Sequence, residues 1–130
     1  MARVLLGGAA LLLLVATALG AYASHGLEGV LTARALASLE TAIEYQFYHG
    51  LGLLAAAILA DRYPERKLFW AAGGLFVAGI VLFCGSIYLI TFGGPAGASR
   101  AAPVGGICFM AGWLSLAFAA IRLPAARADL

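Results

Sequence analysis

The sequence predicts an all-α polytopic membrane protein: an antiparallel, left-handed four-helix transmembrane bundle, with a short interfacial amphipathic helix between spans 1 and 2. Three observations predict it. Of 130 residues, 64% are hydrophobic and only 11% are charged, against about a quarter charged in an ordinary soluble domain. Four stretches, residues 4–23, 45–60, 68–92 and 101–121, contain no Asp, Glu, Lys or Arg. Short connections rich in charge, proline or glycine separate them. The length suits a single domain over residues 1–130, with neither a linker nor an internal repeat to divide it.

The elements follow in chain order. A hydrocarbon core about 30 Å thick takes roughly 20 helical residues, so residues 4–23 suffice for the first span. The same segment allows a second reading, because Arg3, the apolar run and Ala21-Tyr22-Ala23 resemble a cleavable leader with an A-x-A site. The run exceeds the ~7–15 apolar residues usual in such leaders, which favours a retained span. Gly26-Leu27-Glu28-Gly29 reads as a turn.

The second charge-free stretch covers only 16 residues, but no proline interrupts the chain from Thr32 to Ala60. One helix is expected to start between Thr32 and Ser38 and to run to Ala60, with the span itself over residues 40–60. Either residue can act as N-cap, and Glu40 suits the first turn after Ser38. Ahead of Tyr45, Leu36, Leu39, Ile43 and Phe47 recur at three- and four-residue intervals. That amphipathic pattern fits the membrane interface or a partner helix. Asp61-Arg62-Tyr63-Pro64-Glu65-Arg66-Lys67 is a charged loop leading to the third span, residues 68–92. Residues 93–100, rich in glycine, lead to the fourth, residues 101–123, and a polar tail follows Pro124.

Charge sets the orientation. Under four spans, Arg3, Arg62, Arg66, Lys67, Arg122 and Arg127 share one side, and only Arg34 and Arg100 fall on the other. The positive-inside rule then puts both termini in the cytoplasm of a bacterial inner membrane. No Arg-rich, Ser-rich transit segment points to an organelle. A net charge of +2 without a basic stripe gives no footprint for nucleic acid. The lipid bilayer is the expected surrounding, with a membrane-protein partner or a homo-oligomer compatible with the sequence.

Candidate chemistry gathers at one end of the first two spans. Glu40, Glu44, Tyr45, Tyr48 and His49 occupy about half the circumference of a helix at 100° per residue. His25 ends the preceding helix. Ionisable groups at membrane depth are costly and suggest function, so this cluster is a candidate site for a metal, a haem edge or a quinone head group. It is expected to turn inward, with His25 within reach of Glu44, Tyr45 or His49. The alternative is structural, since Tyr and His anchor helices at the interface without any ligand. Glu-x-x-His and His-Glu-x-x-His are both missing, so no metal site is assigned. Phosphate-binding loops and nucleophile elbows are missing too, so no residue is assigned as catalytic.

Cys84 and Cys108 lie in the third and fourth spans, at depths that could match as a disulfide or leave two inert thiols. Many of the 17 glycines fall inside spans. Gly74 with Ala78, and Ala111 with Ser115, form small-xxx-small pairs that suit close packing in lipid. Gly74 and Gly106 are expected at helix contacts, and Val77 toward lipid.

Several motifs have a familiar order. Gly20-Ala21-Tyr22-Ala23-Ser24-His25-Gly26-Leu27 closes the first span, and Glu40-Thr41-Ala42-Ile43-Glu44-Tyr45-Gln46-Phe47-Tyr48-His49 opens the second. Phe83-Cys84-Gly85-Ser86-Ile87-Tyr88-Leu89 lies in the third, and Ala102-Pro103-Val104-Gly105-Gly106 with Gly112-Trp113 in the fourth. Over nearly its whole length the chain resembles the domain of unknown function 423 family, the YgdD-like and transmembrane protein 256-like small membrane proteins. The resemblance implies a four-span inner-membrane protein, supports a retained first span and carries over neither a catalytic residue nor a cofactor. The family pattern favours Ser where this chain has Cys84, which weakens a chemical role for the thiol.

Three functional classes remain. The first is a structural or accessory component of a larger membrane assembly. The second is a cofactor- or small-ligand-binding protein using the polar cluster. The third is a small carrier or channel, disfavoured because a path needs polar residues through the full depth and the inner halves of the spans offer almost none.

Overall fold

The computed structural model describes residues 1–123. Pro124, Arg127 and the polar tail lie outside the described residues. Regular structure among the described residues is entirely helical: α1 (Ala2–Gly26), α2 (Ala33–Arg62), α3 (Lys67–Thr91) and α4 (Ala101–Ile121), with a 3-10 turn at Ala96–Arg100 leading into α4. By length and apolar composition α1, α3 and the unit Ala96–Ile121 can each cross a membrane. The longest helix, α2 at 30 residues, carries Glu40 and Glu44 on its surface and does not meet that composition.

Helix α1 buries Ala2, Ala9, Ala16 and Ala23. A seven-residue repeat keeps one face against a neighbour if the pair winds left-handedly, and alanine lets the two backbones approach closely. The neighbour is α2. Gly50 of α2 lies against Leu13, Ile43 lies near Gly20, and Leu39 and Ile43 pack with Ala23 and Leu27. Rising numbers on one helix meet falling numbers on the other, so α1 and α2 run in opposite directions.

The short amphipathic element expected between the first two spans is not a separate helix. It forms the first turns of α2, because nothing between Ala33 and His49 breaks a helix. Its apolar residues Leu36, Leu39, Ile43 and Phe47 meet the end of α1. Thr32 is the N-cap, its hydroxyl accepting from the Ala35 N–H at 3.2 Å. Ser38 instead donates back to the Arg34 carbonyl at 3.0 Å, inside the helix. At the other end of α2 the turn to α3 is tied by the Trp70 indole, which donates to the Pro64 carbonyl at 3.2 Å.

Helix α3 contains one π-helical segment, Ile80–Cys84, in which the Gly85 N–H reaches the Ile80 carbonyl. The wider turn has a purpose in packing. Phe76, Ile80, Cys84 and Tyr88 are four residues apart and would drift around an α-helix of 3.6 residues per turn. An i→i+5 turn takes up part of that drift, and all four join one core with Ala9, Ala42, Leu53, Ala56 and Phe109. The helix ends in a Schellman motif: the Gly94 N–H bonds the Leu89 carbonyl at 2.6 Å and the Gly93 N–H bonds that of Ile90 at 3.2 Å. Gly93 sits at φ +89°, a left-handed conformation that glycine adopts without steric cost.

Helices α3 and α4 meet through glycine, at other positions than expected. A Cβ on Gly79 would collide with the Phe109 ring, one on Gly105 with the Phe83 backbone, and one on Gly112 with the Phe76 ring at 2.7 Å. Gly74 and Gly106 face open space, which corrects their placement at contacts. Val77 is half-buried against the core rather than turned to lipid. The helical period explains the misplacement: Gly73 and Gly105 are buried, and each neighbour one position on is turned about 100° away.

Candidate functional site

The outward and inward faces of α2 decide which polar residues can act together. Leu39, Ala42, Ile43, Gln46, His49, Gly50 and Leu53 are buried, at the three- and four-residue spacing of one helix face. Glu40, Glu44, Tyr45 and Tyr48 are exposed. The two carboxylates therefore project from the surface, contrary to the expected inward cluster. Leu39, Ile43 and Gln46 already fill the space they would need. Glu40 and Glu44 make no ion pair among the described residues, where Arg66 with Glu65 at 3.8 Å forms the one salt bridge.

His25 is exposed at the end of α1 and has no hydrogen bond among the described residues. His49 adjoins Gly50, which lies against Leu13, twelve residues before His25. At 1.5 Å per residue the two histidines differ by about 18 Å in height along the helices. They do not converge, so this chain offers one imidazole at the level of His49. No three His, Cys, Asp or Glu side chains gather as a metal-binding group among the described residues. Cys84 is buried and Cys108 half-buried, and both are free thiols.

Gln46 was not singled out from the sequence, yet it is the central polar residue. It is 2% exposed. Its amide nitrogen donates to the Leu12 carbonyl of α1 at 2.7 Å, and its amide oxygen accepts from the Tyr88 hydroxyl of α3 at 2.8 Å. One side chain thus ties three helices, and its fixed partners set the rotation of α2. The available signal was a Gln at helical spacing with the apolar residues Leu39, Ile43 and Leu53 of α2, with a Tyr at the far end of the next helix.

One turn further along α2, His49 is 7% exposed. Its Nδ1–H donates to the Tyr45 carbonyl at 2.6 Å. A carbonyl only accepts, so the proton of a neutral ring sits on Nδ1 and Nε2 is left as an acceptor. The imidazole stacks on Phe109, centroids 3.5 Å apart and planes 11° from parallel. Tyr45 stacks on Phe83 at 4.9 Å, and Trp113 meets Phe76 edge-on at 4.9 Å. Between α2 and α4 this leaves a groove of about 520 Å³ lined by Tyr45, Tyr48, His49, Phe83, Gly106 and Trp113, among others. Such a volume is within the ~300–1,000 Å³ of small-molecule sites.

Comparison with known proteins fits this architecture. Residues 19–106 match the family described as "Protein of unknown function (DUF423)". The chain belongs to this family. It is 38% identical over 109 residues to the UPF0382 membrane protein YwdK of Bacillus subtilis, covering 84% of this chain and 89% of the relative. A UPF0382 membrane protein of Haemophilus influenzae is 38% identical over 105 residues, 81% of this chain and 83% of the relative. The UPF0382 inner membrane protein YgdD of Escherichia coli is 36% identical over 107 residues, 82% of this chain and 80% of the relative. No solved structure matches the chain. The matched family region runs from the last turns of α1 to the first turns of α4. It contains Gln46, His49 and Tyr88, and it stops before Phe109 and Trp113.

Proposed function

We propose that this protein is a four-span inner-membrane protein, an antiparallel bundle with both termini in the cytoplasm, and that it serves as an accessory component docked to another membrane protein. In this reading α2 is the second span. Its contacts with α1 and α3 reverse in order at each step: Gln46 meets Leu12 and Tyr88, while Leu53 lies beside Gly73 and Ala60 beside Phe69. Arg3, Arg62, Arg66, Lys67 and Arg122 then gather at one end, as the positive-inside rule requires of the cytoplasmic side.

Glu44 carries the docking part of the proposal. Counting about 30 Å back from Ala60, at 1.5 Å per residue, reaches residue 40. Glu44 is then about 6 Å inside the hydrocarbon boundary on the same scale, exposed and without an ion pair among the described residues. A carboxylate facing lipid is costly. A neighbouring helix that brings a Lys, an Arg or a hydroxyl to this level removes the cost. The buried polar residues Gln46, His49 and Ser86 form no file across the membrane, so the carrier reading has no comparable support.

The test is the mass of the particle extracted directly from membranes in polymer-bounded lipid discs. The wild-type protein is expected to exceed its monomer mass, and Glu44→Lys to release the monomer by placing like charges together. A monomeric wild type, or a Glu44→Lys particle of unchanged mass, overturns the proposal. A particle of twice the chain mass identifies the partner as a second copy.

A further inference from the structure

We infer that the groove between α2 and α4 is a binding site for a lipophilic aromatic molecule bearing a phenolic or hydroquinone hydroxyl, which His49 receives as a hydrogen bond through Nε2. The inference holds whether or not a partner docks at Glu44. Its basis is a polar side chain, on a largely buried residue, that is only half used. Nδ1 of His49 is committed to the Tyr45 carbonyl, and Nε2 has no hydrogen-bond partner among the described residues, although the residue is only 7% exposed and lines the groove. No side-chain nitrogen or oxygen among the described residues is both fully buried and unpaired, so Nε2 is open to the groove, where the bilayer core has no water to supply its donor. A ligand hydroxyl supplies the donor, whereas a carbonyl does not.

The walls define the rest of the molecule. Tyr45, Phe83, Phe109 and Trp113 line it, and aromatic walls are the surfaces on which a planar ring packs best. The room, about 520 Å³, is several times the ~150 Å³ cavity that holds one benzene. It therefore accepts a substituted ring and part of a tail. Gly106 widens one wall, since a Cβ there would touch nothing within 4 Å. Exposed Tyr48 and Met110 edge the groove, at 54% and 62%. In a four-span arrangement that rim faces acyl chains, so the ligand enters from the membrane with its apolar tail left in lipid.

Binding is read by fluorescence of Trp113 in a Trp70→Phe background, which leaves a single indole beside the groove. The probe is a benzoquinol with a ten-carbon tail, and the control is its dimethyl ether, which has the same ring and no donor. Saturable quenching is expected from the quinol, with the ether about fivefold weaker, as one hydrogen bond within the membrane implies. His49→Leu should erase the difference between the two compounds. Gly106→Leu, which fills the groove while facing open space in the fold, should abolish saturable quenching by both. Equal affinity for quinol and ether, an unchanged difference in His49→Leu, or unchanged binding in Gly106→Leu each overturns the inference.

Discussion

Gln46 is the residue whose loss should be felt furthest from its own position. Substituting Tyr88→Phe removes one hydrogen bond of 2.8 Å and leaves the Gln46 amide oxygen without its partner. Side-chain hydrogen bonds within membranes average about 0.6 kcal/mol, with a ceiling near 1.7, so a loss of about 1 kcal/mol is expected. Gln46→Leu removes that bond and the one to Leu12, and strands the Tyr88 hydroxyl, for about 2 kcal/mol. In the double variant no hydroxyl is stranded, and the shared bond is counted once. Its loss should be about 2 rather than about 3 kcal/mol, a coupling near 1 kcal/mol. Unfolding in mixed micelles with increasing dodecyl sulfate, followed by far-ultraviolet circular dichroism, measures all three variants. Additive losses would show that Gln46 and Tyr88 are not joined, and would remove the reason for the inward face assigned to α2.

The glycines divide into two groups that the same assay separates. Gly79→Leu and Gly112→Leu force a side chain into Phe109 and Phe76 and should each cost about 1–3 kcal/mol or more. Gly74→Leu and Gly106→Leu meet open space and should stay within about 0.5 kcal/mol of wild type; equal effects in both groups would contradict the α3–α4 contact. Thr32→Ala should cost about 1 kcal/mol as the loss of an N-cap, whereas Ser38→Ala should be nearly silent. His25→Gln should leave the unfolding midpoint unchanged, because the ring is exposed and has no partner among the described residues; a large shift would restore the contact with α2 expected from the sequence.

The order and approximate ends of the four long helices were legible because charge-free runs and breakers act locally, although the separate amphipathic helix expected before the second span is not formed. The long α2 followed from the lack of any breaker between Thr32 and Ala60, and the capping alternatives at its start already included Thr32. The rotation of α2 was harder to read. In lipid, an exposed apolar face and a buried apolar face have similar composition, so the period reveals a stripe without saying which way it turns. Cost alone turned Glu44 inward; the volume of Leu39, Ile43 and Gln46 against the alanine seam of α1 turned it out. The same ambiguity moved the glycine contacts by one residue, from Gly74 and Gly106 to Gly73 and Gly105. Of the candidate site, Tyr45, Tyr48 and His49 do share a groove. Its other walls, Phe83, Phe109 and Trp113, come from helices whose registers depend on the π turn at Ile80–Cys84. A local pattern does not contain that register.

The passage of α2 through the membrane carries the whole topology, and two engineered cysteines test it. In a background lacking Cys84 and Cys108, Glu28→Cys and Glu65→Cys place thiols in the turns at the two ends of α2, at exposed positions. With a membrane-impermeant maleimide, position 28 is expected to label from outside, without permeabilising the inner membrane. Position 65 should label only after that membrane is opened. Labelling of both positions at the same stage would mean that α2 does not cross, and would contradict the four-span arrangement.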